Sequence, residues 1–247
     1  MTKTIALLST AVVGVGLAAG SASAALVAQW DFNGGSTTTV PGGTTAPTPS
    51  VGAGTASLIG GTTATFASGT ANGGSSDPVT TSPPNYGWNT TTYPAQGANP
   101  GTAGARFDVS TVGQTGPGLF VYFDLRHSNT SSRFVQVEYT TDGTTFSPAP
   151  GGVFEATTGG DTWYRQRQVD LSADPLVFNN PSFGFRVVSV FEPGGSGYVA
   201  STSTSTYAGS GTLRFDMVSV DTTPIPEPAT LGLAAVGLGA LLARRRA

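Results

Sequence analysis

Between Ala105 and Asp221 the chain alternates apolar and polar residues in short bursts, each closed by Gly, Asp, Asn, Ser or Pro. This pattern limits the fold more than any other feature. A period of two gives a strand one face for a core and one for the outside, whereas a helix needs apolar residues every three or four positions. The bursts predict strands at 105–110, 119–126, 133–140, 152–156, 163–171, 183–191, 197–201 and 212–221. Near the start, Leu26, Ala28, Trp30 and Phe32 alternate with Val27, Gln29, Asp31 and Asn33, which predicts one more. Thr141-Asp142-Gly143-Thr144 reads as a hairpin turn, because Asp-Gly tolerates the positive φ that tight connections require. Strands at intervals of roughly ten residues predict an all-β fold, an antiparallel jelly-roll-like β-sandwich.

From Gly34 to Gly104 the pattern lapses into Gly, Thr, Ser, Ala and Pro, so long loops are expected at 34–104 with short edge strands at 56–59 and 64–67. Tyr86, Trp88 and Tyr93 lie in this stretch, bracketed by Pro83-Pro84 and Pro94. Sugar rings stack their C–H faces on such side chains, which makes the three a candidate glycan-binding platform. The competing account is that Trp88 plugs the open edge of the sandwich, because aromatic rings bury large areas.

Composition removes several function classes. There is no cysteine, hence no disulfide, thiol nucleophile or cysteine zinc site. His127 is the one histidine, which rules out a multi-histidine metal centre, and at a strand end it reads as a solvent-facing loop residue rather than a catalytic base. Setting aside Lys3 and the arginines at 244–246 from the 11 basic residues, and Glu227 from the 14 acidic ones, leaves seven against 13 and a net charge near -6. Without a basic patch, nucleic-acid binding is excluded. A glycosidase needs two carboxylates across a cleft. Glu138, Glu155 and Glu192 are the glutamates of this region, and Glu138 reads as part of a solvated strand face. The i, i+2 pairs Asp124/Arg126 and Arg214/Asp216 read as surface ion pairs. No cofactor motif is present; a structural calcium held by Asp31 with Asp216 or Asp221 is the one candidate metal.

The two ends carry signals rather than fold. Lys3, the apolar segment 5–20 and Ala22-Ser23-Ala24 form a signal-peptide helix at 1–24, with signal peptidase expected to cut after Ala24. At the other end Pro226-Glu227-Pro228 precedes an uncharged apolar run at 229–243 and then Arg244-Arg245-Arg246. Fifteen residues are short of the ~20 a helix needs to cross a bilayer, so the run is a marginal transmembrane helix. Positive charge at both extremes puts residues 25–223, the expected ectodomain, outside the inner membrane.

The tail, residues 224–247, resembles the PEP-CTERM sorting signal of Gram-negative bacteria that make exopolysaccharide. That resemblance implies processing near the triplet by an exosortase-type transpeptidase, membrane attachment beforehand, and a final place in the cell envelope, at the surface or in the extracellular matrix. A second resemblance rests on Tyr86 to Thr91, Arg106 to Gly113, Phe123 to Thr130 and Tyr139 to Gly143, which together look like the β-sandwich ectodomains of many PEP-CTERM proteins. These are similar in outline to galactose-binding-like and carbohydrate-binding jelly rolls, and the likeness brings no catalytic motif. The function expected is non-enzymatic adhesion or binding of exopolysaccharide; the alternative is a secreted glycan-active hydrolase or lectin-like module.

Overall fold

The computed structural model describes residues 26–34, 40–80 and 85–223. The described residues form twelve strands and one short 3-10 turn. In chain order the strands are β1 (Leu26–Trp30), β2 (Val51–Gly52), β3 (Thr55–Ile59), β4 (Thr63–Ser68), β5 (Tyr86–Thr91) and β6 (Gly104–Asp108). Then come β7 (Phe120–His127), β8 (Phe134–Thr140), β9 (Ser147–Glu155), β10 (Thr162–Asp170), β11 (Gly184–Val190) and β12 (Leu213–Asp221), with the turn at Pro175–Val177.

Every pairing is antiparallel, in two sheets. One runs β3-β6-β11-β8-β9; the other runs β10-β7-β12-β1-β2, with β5 on β12 and β4 on β5. The alternating residues meet between them. Phe107 stands at the centre, 5.1 Å from Phe185 of its own sheet and 5.1, 6.1 and 6.3 Å from Trp30, Trp88 and Phe215 of the other, ring centre to ring centre. These rings are fully buried, and burial of that apolar area is the main force holding the two layers face to face.

The seven-stranded sheet contains two kinks that matter for the site. Along β12, Leu213 and Phe215 point into the core, but so do Val218 and Val220, so the inward parity changes at Met217. The ladder with β7 jumps there from Asp216↔Asp124 to Ser219↔Tyr122, and Met217 has φ 46°. Strand β10 does the same on the other side of β7, jumping from Tyr164↔Leu125 to Arg167↔Phe123 with φ 52° at Gln166. Each is a β-bulge that takes backbone N–H groups out of the ladder, and both lie opposite the Phe123–Asp124 stretch of β7.

Most predicted strands are present with shifted ends; three readings need correction. Tyr86 to Thr91 is a strand rather than a loop. Gly87 hid it, and the glycine is there because a Cβ would stand 2.7 Å from Arg214 Cγ and 2.9 Å from the Phe215 carbonyl, on the paired strand. Strand β9 begins at Ser147, five residues before the predicted start. Pro148 and Pro150 concealed it, and they are tolerated because β9 lies at a sheet edge. Residues 197–201 form no strand; Ala200 makes a single bridge to Ser132, and Tyr198 stacks on Tyr207 in a small satellite cluster. At 141–144 the turn has Gly143 at φ 78°, and the Asp142 carboxylate accepts from Thr144 N and Thr145 N at 2.7 and 2.6 Å, which holds it well below the usual carboxylate range.

Candidate functional site

Several polar residues on the outer face of the seven-stranded sheet, Asp124, Arg126 and Asp216 among them, are not in water. Residues 69–80 lie across that face. Asn72 Oδ1 accepts from Arg126 Nε at 3.1 Å, the Ala71 carbonyl from Trp163 Nε1 at 2.9 Å, and the Gly74 carbonyl from Arg165 Nε at 2.8 Å. Ser76 N donates to Asp124 Oδ2, and Gln166 N, freed by the β10 bulge, donates to Asp124 Oδ1 at 2.6 Å. A bulge amide needs an acceptor, and this carboxylate supplies it while tying the segment down. Asp124 is 1% exposed, and burial raises its pKa despite those bonds.

Asp216 faces the same layer and is fully buried. Its Oδ1 accepts Met217 N, the other bulge amide, at 2.8 Å. Its Oδ2 has no hydrogen-bond partner, and neither does Asn85 Oδ1. Burial, with Asp77 and Asp124 repelling from nearby, raises the Asp216 pKa well above its ordinary value, while Ser75 and the Met217 amide oppose the shift. Ser75, Asp77, Asn85 and Arg165 line a cavity of about 330 Å³. A smaller cavity of about 180 Å³ runs past Ser76, Asp124 and Gln166 toward Asp221.

His127 ends β7 on the core side of the sheet. Its Nδ1 lies 2.9 Å from the Ser132 carbonyl and must donate to it, which leaves Nε2 to accept from Arg167 Nη1 at 3.1 Å. Arg167 also donates to the Glu155 carbonyl and lies 4.6 and 5.2 Å from the Tyr164 and Phe154 ring centres. Burial and the adjacent guanidinium push the His127 pKa well below its ordinary value, and burial lowers Arg167 to about 10. The histidine is 0% exposed, which corrects the expectation of a solvent-facing loop residue, and with both ring nitrogens engaged it serves no nucleophile.

Beyond the described residues the chain carries a further functional segment, and there a family model gives the decisive match. Residues 224–246 fit the model for the PEP-CTERM protein-sorting motif. The chain ends in a PEP-CTERM sorting signal. The motif implies export to the cell envelope or surface of a Gram-negative bacterium and processing by an exosortase-type enzyme. No curated protein sequence matches the chain. Among solved structures, the K3 cleaved adhesin domain of Lys-gingipain from Porphyromonas gingivalis W83 is similar at 12% identity and a TM-score of 0.33, over 56% of this chain and 74% of that one. The K1 cleaved adhesin domain of the same protein is similar at 10% identity and a TM-score of 0.31, over 70% and 100%.

The sorting residues Pro226, Glu227, Pro228, Arg244, Arg245 and Arg246, the helix expected at 229–243 and the expected cleavage residues Ala22 and Ala24 all lie outside the described residues. Tyr86, Trp88 and Tyr93 lie inside the fold. Trp88 is 0% exposed, stacks on Phe32 at 5.8 Å and donates its Nε1 to the Thr44 carbonyl at 2.8 Å. Tyr86 and Tyr93 are buried as well, with the Tyr93 hydroxyl 2.5 Å from Thr90 Oγ1, so the three rings form no sugar platform. Trp88 does not plug an edge either; it points from β5 into the middle of the core.

The carboxylates also differ from expectation. Asp124 and Arg126 do not pair with one another: Arg126 bonds Asp161, and Arg214 donates to Asn89 Oδ1 and the Ser68 carbonyl rather than to Asp216. Glu138 is largely buried by its bond from Arg186 Nε at 2.7 Å, with Phe146 lying over Arg186 and Arg106. Glu155 faces Arg133 at 3.8 Å, and Glu192 sits in an exposed turn. Asp31 and Asp221 are kept apart by the antiparallel register, which sets Asp221 against Leu26 at the far end of β1. Among the described residues no three Asp, Glu or His side chains gather as a metal cluster. The Gly, Ser, Asp and Asn of residues 69–80 have the composition of a free loop, so the sequence carries no sign of the cavity layer beneath them beyond the parity that sets Asp31 and Asn33 opposite Trp30 and Phe32.

Proposed function

We propose that the chain is an exported, non-enzymatic envelope or matrix protein whose jelly-roll ectodomain, residues 25–223, binds exopolysaccharide or acts in adhesion. The sorting motif at 224–246 carries this reading. The fixed state of the titratable groups supports it: His127 is sealed in the core, Glu138 and Glu155 sit on separate strands, β8 and β9, and Glu192 lies in a turn after β11. With the aromatic platform gone, the glycan surface proposed is the open polar groove of about 420 Å³ lined by Asn129, Arg133, Thr158, Thr202 and Ser203. Its hydroxyl and amide groups match the hydrogen-bonding groups of a polysaccharide, and its openness suits a chain passing through. Glycan-array binding by the exported protein without release of reducing sugar is the expected result; release of reducing sugar would establish the hydrolase alternative.

The tail acts in the same scheme as a sorting device. Signal peptidase removes residues 1–24, and the arginine triplet stops the chain in the inner membrane, each guanidinium costing ~2.5 to 3.5 kcal/mol at the bilayer centre. Pro226 and Pro228 keep the backbone before the apolar run extended, in a form a processing enzyme can grip. Glu227→Ala is expected to leave export intact and block removal of the tail. Mass spectrometry of the mature C-terminus decides this: wild-type protein from its host that still ends in Arg-Arg-Arg-Ala would make the segment an ordinary anchor.

A further inference from the structure

Asn85 Oδ1 and Asp216 Oδ2 are both buried acceptors that receive no hydrogen bond of good geometry, with the Ser75 side chain beside Asp216. They also converge. The point where a Cβ on Gly69 would stand is 1.6 Å from Asn85 Oδ1 and 3.0 Å from Asp216 Oδ2, so the absence of a side chain at 69 is what admits the two oxygens to one spot. The Asn85 amide cannot turn round to offer a donor without losing the bond from its Nδ2 to the Val79 carbonyl at 2.8 Å. Arg214, a cation that interacts with Asp216 through space, spends its hydrogen bonds on Asn89 and Ser68. Two acceptors confined in this way need a cation between them or a proton on the carboxylate.

We infer that Asn85 and Asp216 hold a calcium ion at the inner end of the cavity beneath residues 69–80. Calcium bonds oxygen at ~2.3 to 2.6 Å and accepts amide and carboxylate ligands together, so oxygens held this close can share one ion. Asp77 and Ser75 line the adjoining cavity, which gives an entry path, room for water ligands and further negative potential. Asp77 itself is engaged by Asn33 Nδ2 at 2.7 Å and Val79 N at 2.7 Å, which makes it a supporting charge. One carboxylate and one amide, with water completing the shell, place the site among the weak ones, ~10⁻⁴ to 10⁻³ M, as found in extracellular modules. The ion would join two segments that are far apart in the chain, Asn85 just before β5 and Asp216 at the bulge of β12, beside Gly69.

The test uses the full chain purified in detergent, stripped with a chelator and melted in increasing CaCl₂ with MgCl₂ as the control. At about 10 mM calcium, roughly tenfold above the weak limit, the melting temperature should rise by about 3 to 5 °C. Asp216→Asn should abolish the rise, and Asn85→Asp, which adds a second charge, should move its midpoint to lower calcium. Absence of a calcium response in the wild type would overturn the proposal, with a protonated-carboxyl infrared band lost in Asp216→Asn showing that a proton occupies the place instead. A response retained in Asp216→Asn, or a midpoint unmoved in Asn85→Asp where Asp216→Asn does not fold, would overturn it equally. Glycan binding is read separately, at the groove near Thr202, so failure of either idea leaves the other standing.

Discussion

Where residues 69–80 cross it, the seven-stranded sheet is buried on both faces, and the two faces are filled in opposite ways. Against the other sheet it presents Trp30, Trp88 and Phe215, which interlock with Phe107 and need no partner beyond contact. Beneath residues 69–80 it presents Asp124, Arg126 and Asp216, each of which needs a specific donor or acceptor. The first layer is held by area, which is forgiving of direction; the second is held by hydrogen bonds, where one missing partner costs as much as several good ones contribute. The two β-bulges join these layers. They restore the inward parity of the aromatic face and at the same time free the amides that the carboxylates on the outer face cap.

The largest expected effect tests the aromatic side. Trp88→Ala should cost ~3 to 5 kcal/mol in chemical denaturation while glycan binding by the folded fraction is unchanged. A loss of binding with stability intact would return Trp88 to the surface. On the polar side, Asp124→Asn should cost ~1 to 3 kcal/mol, because an amide NH₂ replaces one of two acceptors facing backbone N–H groups. Hydrogen exchange should then quicken at Ser76 and Gln166; unchanged protection there would separate the carboxylate from the anchoring of residues 69–80.

His127 sharpens the contrast through pH. Its folded pKa lies below the unfolded ~6.5, so the unfolded chain binds the proton more readily and stability is lost as pH falls below about 6.5, by up to ~1.4 kcal/mol per pH unit until the folded pKa is reached. Urea denaturation of the wild type against His127→Gln isolates this slope from that of the buried aspartates; parallel curves would mean that the ring is not held neutral. The smallest effect is expected for Arg133→Ala paired with Glu155→Ala. Their contact is long, at 3.8 Å, and partly exposed, so a double-mutant cycle should give a coupling below ~0.5 kcal/mol.

Alternation along 105–221 made the all-β class and most of the strands legible, because parity is a local property that each strand writes for itself. The tail was legible for the same reason: Pro226-Glu227-Pro228, an apolar run and three arginines lie next to one another in the chain. Tyr86, Trp88 and Thr90 keep that parity too, but Gly87 between them carries the signature of a loop, and only its close approach to Arg214 and Phe215 on the paired strand accounts for it. The fate of the polar residues was decided by tertiary structure alone. Whether Asp216 is a surface charge or a buried one depends on residues 69–80, more than 130 positions away, crossing its face, and the sequence around Asp216 carries no trace of that arrival. A strand states which of its faces is polar; only the packed chain determines whether that face meets water.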